Sequence, residues 1–370
     1  MDRVGIVTIV DEQNYGNRLQ NYALQCALES LGIGRAETIR NSPRPELRSL
    51  RARRAAVALR RAPVTTLSRN FRRWKEHRDA SAAAGNSSPA PALDLSEFTR
   101  TYIHEYPLHF DAIADKRELS SLFDAFVVGS DQVWNPGFRN ANEIDFLTFA
   151  RSRQRIAYSA SFGVQSVPDY LRDFYRRRLR EIPAISVRET TGARIVSELI
   201  GRSVPVVLDP TLVVPSTTWT SLASTPREFQ ERDYAVGFFL GGFHEGEQER
   251  LEGEFRSEGL ELIDYRSHPW LAGASPEVFL GTLRAAKVVV TDSFHAAALS
   301  LALDTPFRVR FRHAGDARMD ALFSLLGTRT DGDGPLVPSL AWDAVHERTE
   351  TARRRSLAWL RDALEAATPA

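Results

Sequence analysis

The chain carries a single cysteine in 370 residues, Cys26. That excludes an internal disulfide and any cysteine-built metal cluster, and it fits a reducing cytosol. Charge of one sign is missing too. Lysine and arginine number 48 against 47 aspartates and glutamates, a formal net charge of +1, so nothing draws the whole chain toward nucleic acid. No apolar run is long enough to cross a bilayer. The segment Met1-Asp2-Arg3 passes straight into a short strand pattern without the basic and apolar parts of a signal sequence. Repeats of short period are absent. So are the glycine-rich phosphate loops of Walker or Rossmann spacing and metal-ligand spacings. The expectation is a cytoplasmic, metal-independent protein without a bound cofactor. Arginine far outweighs lysine, as in chains from GC-rich genomes.

What is present is an alternation of short apolar runs and amphipathic segments. At this length two domains are the default. Strand patterns at Val4–Val10, Phe123–Gly129, Arg155–Ala160, Ala184–Arg188 and Val204–Leu208 alternate with helical spacings such as Leu19, Tyr22, Ala23 and Cys26. A second series begins at Tyr234–Leu240 and continues through Leu260–Asp264, Val288–Val290 and Phe307–Phe311. This alternation predicts an α/β fold of two Rossmann-like halves, each with a parallel sheet covered on both faces. The proline-broken stretch Pro215–Asp233 gives the boundary, hence domains 1–214 and 215–370. An arginine-rich insert at about 40–92 ends in Ala, Ser, Gly and Pro. Its simplest reading is a solvated insert; its sharper one is a peripheral contact for anionic lipid at the inner membrane face.

The candidate site residues lie at strand ends. His295 follows three valines and the capping residues Asp292 and Ser293, and Ala296, Ala297 and Ala298 come after it. That puts an imidazole in the first turn of a helix beyond a strand, where open α/β sheets take ligands and helix amino ends attract anions. Arg188 ends another strand and can fork onto a carboxylate or phosphate. Ser130, Asp131 and Gln132 follow Gly129, and Asp131 can accept from a substrate hydroxyl. Asn14, Gly16 and Asn17 open the first helix and offer backbone amides. Arg308, Arg310 and Arg312 share one face of a strand by two-residue periodicity. Asp209-Pro210-Thr211 reads as a rigid structural turn and not as chemistry.

These pieces resemble the polysaccharide pyruvyl transferase family. The matching stretches are Asn14–Gln20, Asp124–Asn135, Ala157–Gly163, Ile185–Glu189, Val207–Leu212 and Val289–His295, with Arg318–Gly327 like the family's late helix. The resemblance implies a GT-B-like fold with the active site in the interdomain cleft. It also implies phosphoenolpyruvate as donor and a sugar, glycan or glycolipid acceptor that receives a pyruvate ketal. The family's catalytic histidine falls on His295 and its donor-binding arginine on Arg188. Ser293 stands where some members carry an arginine, so Arg310, Arg312 or Arg318 is expected to complete the pocket for the donor anion. The rival readings are a nucleotide-sugar glycosyltransferase of the same fold and a non-catalytic sugar-binding relative.

Overall fold

The computed structural model describes residues 1–42, 93–137, 139, 141–311, 317–327 and 341–368. Most of the basic insert, and Arg312, lie outside them.

The first half carries β1 (Arg3–Val7), α1 (Tyr15–Ser30), β2 (Arg35–Thr38), α2 (Ser96–Tyr102), α3 (Lys116–Leu122), β3 (Ala125–Val128), β4 (Arg155–Ala160), α4 (Asp169–Arg180), β5 (Ala184–Val187) and α5 (Thr190–Ile200). A connecting stretch holds the short α6 (Pro210–Val213), α7 (Ser216–Leu222) and α8 (Arg227–Gln230). The second half carries β6 (Tyr234–Phe238), α9 (Glu247–Ser257), β7 (Glu261–Asp264), α10 (Pro276–Ala285), β8 (Val288–Thr291), α11 (Phe294–Ala302), β9 (Phe307–Val309) and α12 (Ala317–Leu326). The closing helix is α13 (Trp342–Ala367).

Both sheets are wholly parallel, in the orders β2-β1-β3-β4-β5 and β7-β6-β8-β9. This is the expected α/β fold of two Rossmann-like halves, each with a parallel sheet. In each sheet the order reverses between its first strand and the strand on the other side of it: β1 and β3, then β6 and β8. Ligands of doubly wound sheets sit beyond the carboxyl ends of the strands at such a reversal. The two reversals therefore place the candidate site.

The strands are buried because they are apolar on both faces, as parallel strands must be. One apolar core runs across both halves, from Val4, Ile6 and Leu19 to Tyr234, Val236, Val289 and Leu299. A second covers the outer face of the first sheet with Phe126, Trp134, Phe146 and Tyr175. Tyr15 pins the halves together. Its ring stacks on Phe279 at 4.4 Å between centroids, and its hydroxyl donates to the Ala274 carbonyl at 2.6 Å. Burial pushes that hydroxyl's pKa up to about 12.

Several local expectations shift. Val204–Leu208 forms only an isolated bridge, Val187 to Val206, because Pro205 has no N–H to give and breaks the ladder. The strand expected at Phe307–Phe311 ends at Val309. The closing helix starts fifteen residues before the expected Leu357 (357 − 342 = 15) and packs back onto the first half. There the Ser356 hydroxyl accepts from the Leu208 amide at 3.0 Å, and Trp359 lies 6.2 Å from Tyr158 between ring centroids. No described helix is long and apolar enough to cross a membrane.

Candidate functional site

His295 is placed by its neighbours on the chain. β8 runs out at Thr291, whose hydroxyl accepts from the Ser293 amide at 3.0 Å. Ser293 then caps α11, its hydroxyl accepting from the Ala296 amide at 3.4 Å. The ring leans onto α1. A Cβ on Gly16 would come within 2.3 Å of His295 Nδ1, so only glycine lets the two helix starts from opposite halves meet there.

The ring lies on a wall shared by two cavities. One, of about 400 Å³, is lined by Asp11, Asn14, Asn17, Asp131, Gln132, Arg139, Ser293, Phe294 and Arg318, among others. The other, of about 370 Å³, is lined by Gln13, Asn14, Gly16, Phe238, Tyr265, Arg266, Phe279 and Ser293. The first is polar and holds the Arg318 guanidinium; the second has aromatic walls.

Beneath the ring lies a compact charged cluster from the first half. Asp209 Oδ2 accepts from Arg188 Nη1 at 2.8 Å and from the Ser130 hydroxyl at 2.8 Å, and it lies 3.8 Å from His295 Nε2. Asp131 Oδ1 is 3.5 Å from Arg188 Nη2, and Asp131 Oδ2 accepts from Asn17 Nδ2 at 3.3 Å. Asp131 takes a φ of 64°, a left-handed conformation that aspartate enters more readily than most residues. Glu189 is buried behind them and accepts from the Ser161 hydroxyl and the Phe162 amide.

These neighbours set the protonation states. Burial alone would raise both aspartates. For Asp209, Arg188 and His295 outweigh it and hold the carboxyl at about 2. In the acid range where the carboxyls titrate the ring is protonated, and it, Arg188 and the Asn17 amide keep Asp131 below the usual carboxylate range. Burial lowers His295, Arg188 and Arg318 lower it further, and Asp209 and Asp131 pull only partly the other way. The balance favours the neutral ring. Arg188 is raised: burial would lower it, but Asp209, Asp131 and Glu189 more than compensate.

The sequence-predicted residues divide. His295, Asn14, Gly16, Asn17, Asp131, Gln132, Ser293 and Arg318 converge on the two cavities. Ser130 does not: it is fully buried and serves Asp209. Arg188 lines neither cavity. It lines a third, of about 780 Å³, beside Asp209 and Phe294, whose ring centroid is 4.6 Å from its guanidinium carbon, and its Nη1 donates to Asp209. Its Nε and Nη2 atoms make no hydrogen bond. Arg310 lines neither of the two cavities beside His295. Its guanidinium pairs with Glu247, with Asp292 at 2.9 Å and with the Gly242 carbonyl at 3.0 Å. Arg308 pairs with Glu254 and Glu258. Of the basic strand face, Arg308 and Arg310 are thus paired with acids, Glu247 and Glu254 of them on α9.

Asp209 is the residue that sequence reasoning passed over. Its turn-making role is real: Oδ1 accepts from the Thr211 amide and hydroxyl. A carboxylate has two oxygens, and the motif Asp-Pro-Thr announces the work of only one. Arg266 and Tyr265 of the second cavity carried no motif at all. Among the described residues, no group of three His, Cys, Asp or Glu side chains is placed to hold a metal ion.

A family model described as polysaccharide pyruvyl transferase matches residues 14–309. No curated protein matches the chain in sequence. Among solved structures, UDP-GlcNAc 2-epimerase from Neisseria meningitidis bound to UDP-GlcNAc aligns at 9% identity, with a TM-score of 0.43, covering 99% of this chain and 94% of that one. UDP-GlcNAc 2-epimerase from Methanocaldococcus jannaschii in complex with UDP-GlcNAc and UDP aligns at 11% identity and a TM-score of 0.36, covering 95% and 99%. The E. coli heptosyltransferase WaaC with ADP-2-deoxy-2-fluoro heptose aligns at 13% identity and a TM-score of 0.33, covering 85% and 91%.

Proposed function

The chain belongs to the polysaccharide pyruvyl transferase family, and from that premise we propose that it moves a pyruvyl group from phosphoenolpyruvate to two hydroxyls of a sugar, glycan or glycolipid acceptor. The products are a cyclic pyruvate ketal and phosphate. The observation that carries this reading is the position of His295 on the wall between a polar cavity holding Arg318 and a cavity with aromatic walls.

The donor is assigned to the polar cavity. Its phosphate and carboxylate meet Arg318 and the amino end of α11, where unpaired amides and the helix dipole favour negative charge. Arg188 supports the donor from behind Phe294, through its field and through its hold on Asp209. The acceptor is assigned to the other cavity. A sugar has apolar faces and hydroxyl edges, and Phe238, Tyr265 and Phe279 with Gln13 and Arg266 offer surfaces of both kinds.

The chemistry needs a proton delivered to the methylene carbon of the donor. The adjacent carbon then becomes electrophilic, an acceptor hydroxyl adds to it, and the carbon–oxygen bond to phosphate breaks. A second hydroxyl closes the ketal. One hydroxyl proton replaces the proton given to carbon, and the other leaves with phosphate. His295 can run both transfers, because its ordinary pKa lies near neutrality. A donor carrying two anionic groups opposes the lowering by Arg188 and Arg318, so the ring takes up its proton as the donor arrives.

Titration calorimetry with phosphoenolpyruvate, followed by phosphate release with a panel of sugar acceptors and mass analysis of the product, tests the reading. His295→Ala is expected to lower transfer by about 10²–10⁴. A folded wild-type protein that binds no phosphoenolpyruvate sinks the proposal. Release of UDP from a UDP-sugar instead points to glycosyl transfer, and near-normal turnover by His295→Ala removes the histidine from its role.

A further inference from the structure

We infer that Asp209 is the positioning residue for His295, holding the Nε2–H edge of the ring so that Nδ1 is the atom that exchanges protons with the substrate. This rests on the reading of His295 as the proton-transfer group. It goes beyond that reading by assigning each ring nitrogen and by naming the group that fixes them.

The two nitrogens stand in different surroundings. Nε2 is buried, has no hydrogen-bond partner, and lies 3.8 Å from Asp209 Oδ2. A buried ring nitrogen left without a partner is destabilising, so one that faces a carboxylate has an evident use. Closing the gap by roughly 1 Å makes a hydrogen bond, and such bonds are often long in empty sites and tighten when substrate binds. Nδ1 is on the other edge, against Gly16. Gly16 and the ring line the same cavity, the one assigned to the acceptor.

Asp209 is itself rigidly held. Oδ1 accepts from the Thr211 amide at 3.0 Å and its hydroxyl at 2.8 Å, and Oδ2 accepts from Ser130 and Arg188. Four donors fix the carboxylate before the ring is considered, so it can orient the imidazole without moving. The charged groups facing the ring are Asp209 and Asp131 from strand ends of the first half, Arg188 beyond them, and Arg318 on α12. Of these four, Asp209 is the carboxylate paired with the imidazole, with its Oδ2 in reach of Nε2. Through the cycle the Nε2 proton stays on the ring, held toward Asp209, while Nδ1, where the two cavities meet at the ring, gives its proton to the methylene carbon and regains one from the acceptor hydroxyl. The ring ends as it began.

The test needs no knowledge of the acceptor. In protein labelled with ¹⁵N-histidine, the His295 signals are assigned by their loss in His295→Gln. Two-bond ¹H–¹⁵N correlations then read the tautomer of the neutral ring. The expected wild-type form carries its proton on Nε2. Asp209→Asn is expected to lower the ring's pKa further and mix the tautomers. It should also cut kcat by about 10² through lost orientation, while the KM for phosphoenolpyruvate changes less than tenfold. Asp209→Glu should restore part of the kcat and of the pKa. A wild-type ring protonated on Nδ1 overturns the proposal whether or not the variants fold. So does a folded Asp209→Asn with an unchanged tautomer and pKa. If the tautomer is as expected but phosphoenolpyruvate is neither bound nor consumed, the pairing of Asp209 with His295 stands and the pyruvyl-transfer reading alone falls.

Discussion

The two halves end their sheets at the cleft in different ways. Beyond β3 and β5 the first half gathers acids, with Asp131, Asp209 and Glu189 around the single guanidinium of Arg188. Beyond β8 and β9 the second half has an arginine of the same kind, but Arg310 is neutralised by Glu247 and Asp292. What the second half sends into the cleft is a capped helix start, the ring of His295 and Arg318. The first half thus makes an anionic floor and the second a capped helix start, and both halves line the two cavities. Between them lies the ring of His295, whose pKa burial lowers.

The sharpest way to break this contrast is to remove each arginine in turn. Arg188→Met leaves buried carboxylates without their cation, a loss of about 3–5 kcal/mol, expected as a large drop in melting temperature and a weaker hold on phosphoenolpyruvate. Arg310→Met is expected to lower stability while leaving donor affinity, measured by calorimetry, where it was. If Arg310→Met weakens donor binding more than Arg188→Met does, the division of labour between the halves is wrong.

The next largest effect tests the contact between the halves. Gly16→Val places a side chain where His295 stands. Displacing the ring by about 1 Å should cost roughly 10² in transfer rate. A variant that folds, binds the donor and turns over normally would show that the ring's position is not critical.

The smallest effect is on stability against pH. His295 is held below its ordinary value of 6.5 in the folded protein, so folding favours the neutral ring. The stability this contributes is complete above 6.5 and is lost as the pH falls below it. Asp209, held at about 2 against an ordinary 3.8, contributes above 3.8, and its share is lost as the pH falls toward 2. Melting temperature should therefore decline in two acid stages, and His295→Gln should remove the first alone. A single-stage decline shared by both proteins would contradict the depressed imidazole.

Much of the site was legible in the chain because capping and strand ends are local. Asp292 and Ser293 announced a helix start, and three valines announced a buried strand, so His295 could be placed before any fold was known. Gly16 and Asn17 were legible as the opening of α1, though not for the reason glycine is needed there. That reason is a ring 279 positions further on (295 − 16 = 279). Ser130 and Arg310 misled for a related cause. A polar side chain at a strand end has the same local signature whether it turns toward the cleft or toward a partner inside. Ser130 turns to Asp209, and Arg310 turns to Glu247 on a helix from elsewhere in the chain.

The sequence by itself determined the two parallel sheets and the place of His295 at a helix start beyond a strand. Both follow from apolar periodicity and capping, which act within a few residues. Only the tertiary structure decided which charges neutralise one another. Electrostatic pairing between buried groups depends on distances of a few ångströms between residues far apart in the chain. It made Asp209 part of the site and left Arg310 out of it, and the local pattern at those two positions pointed the other way.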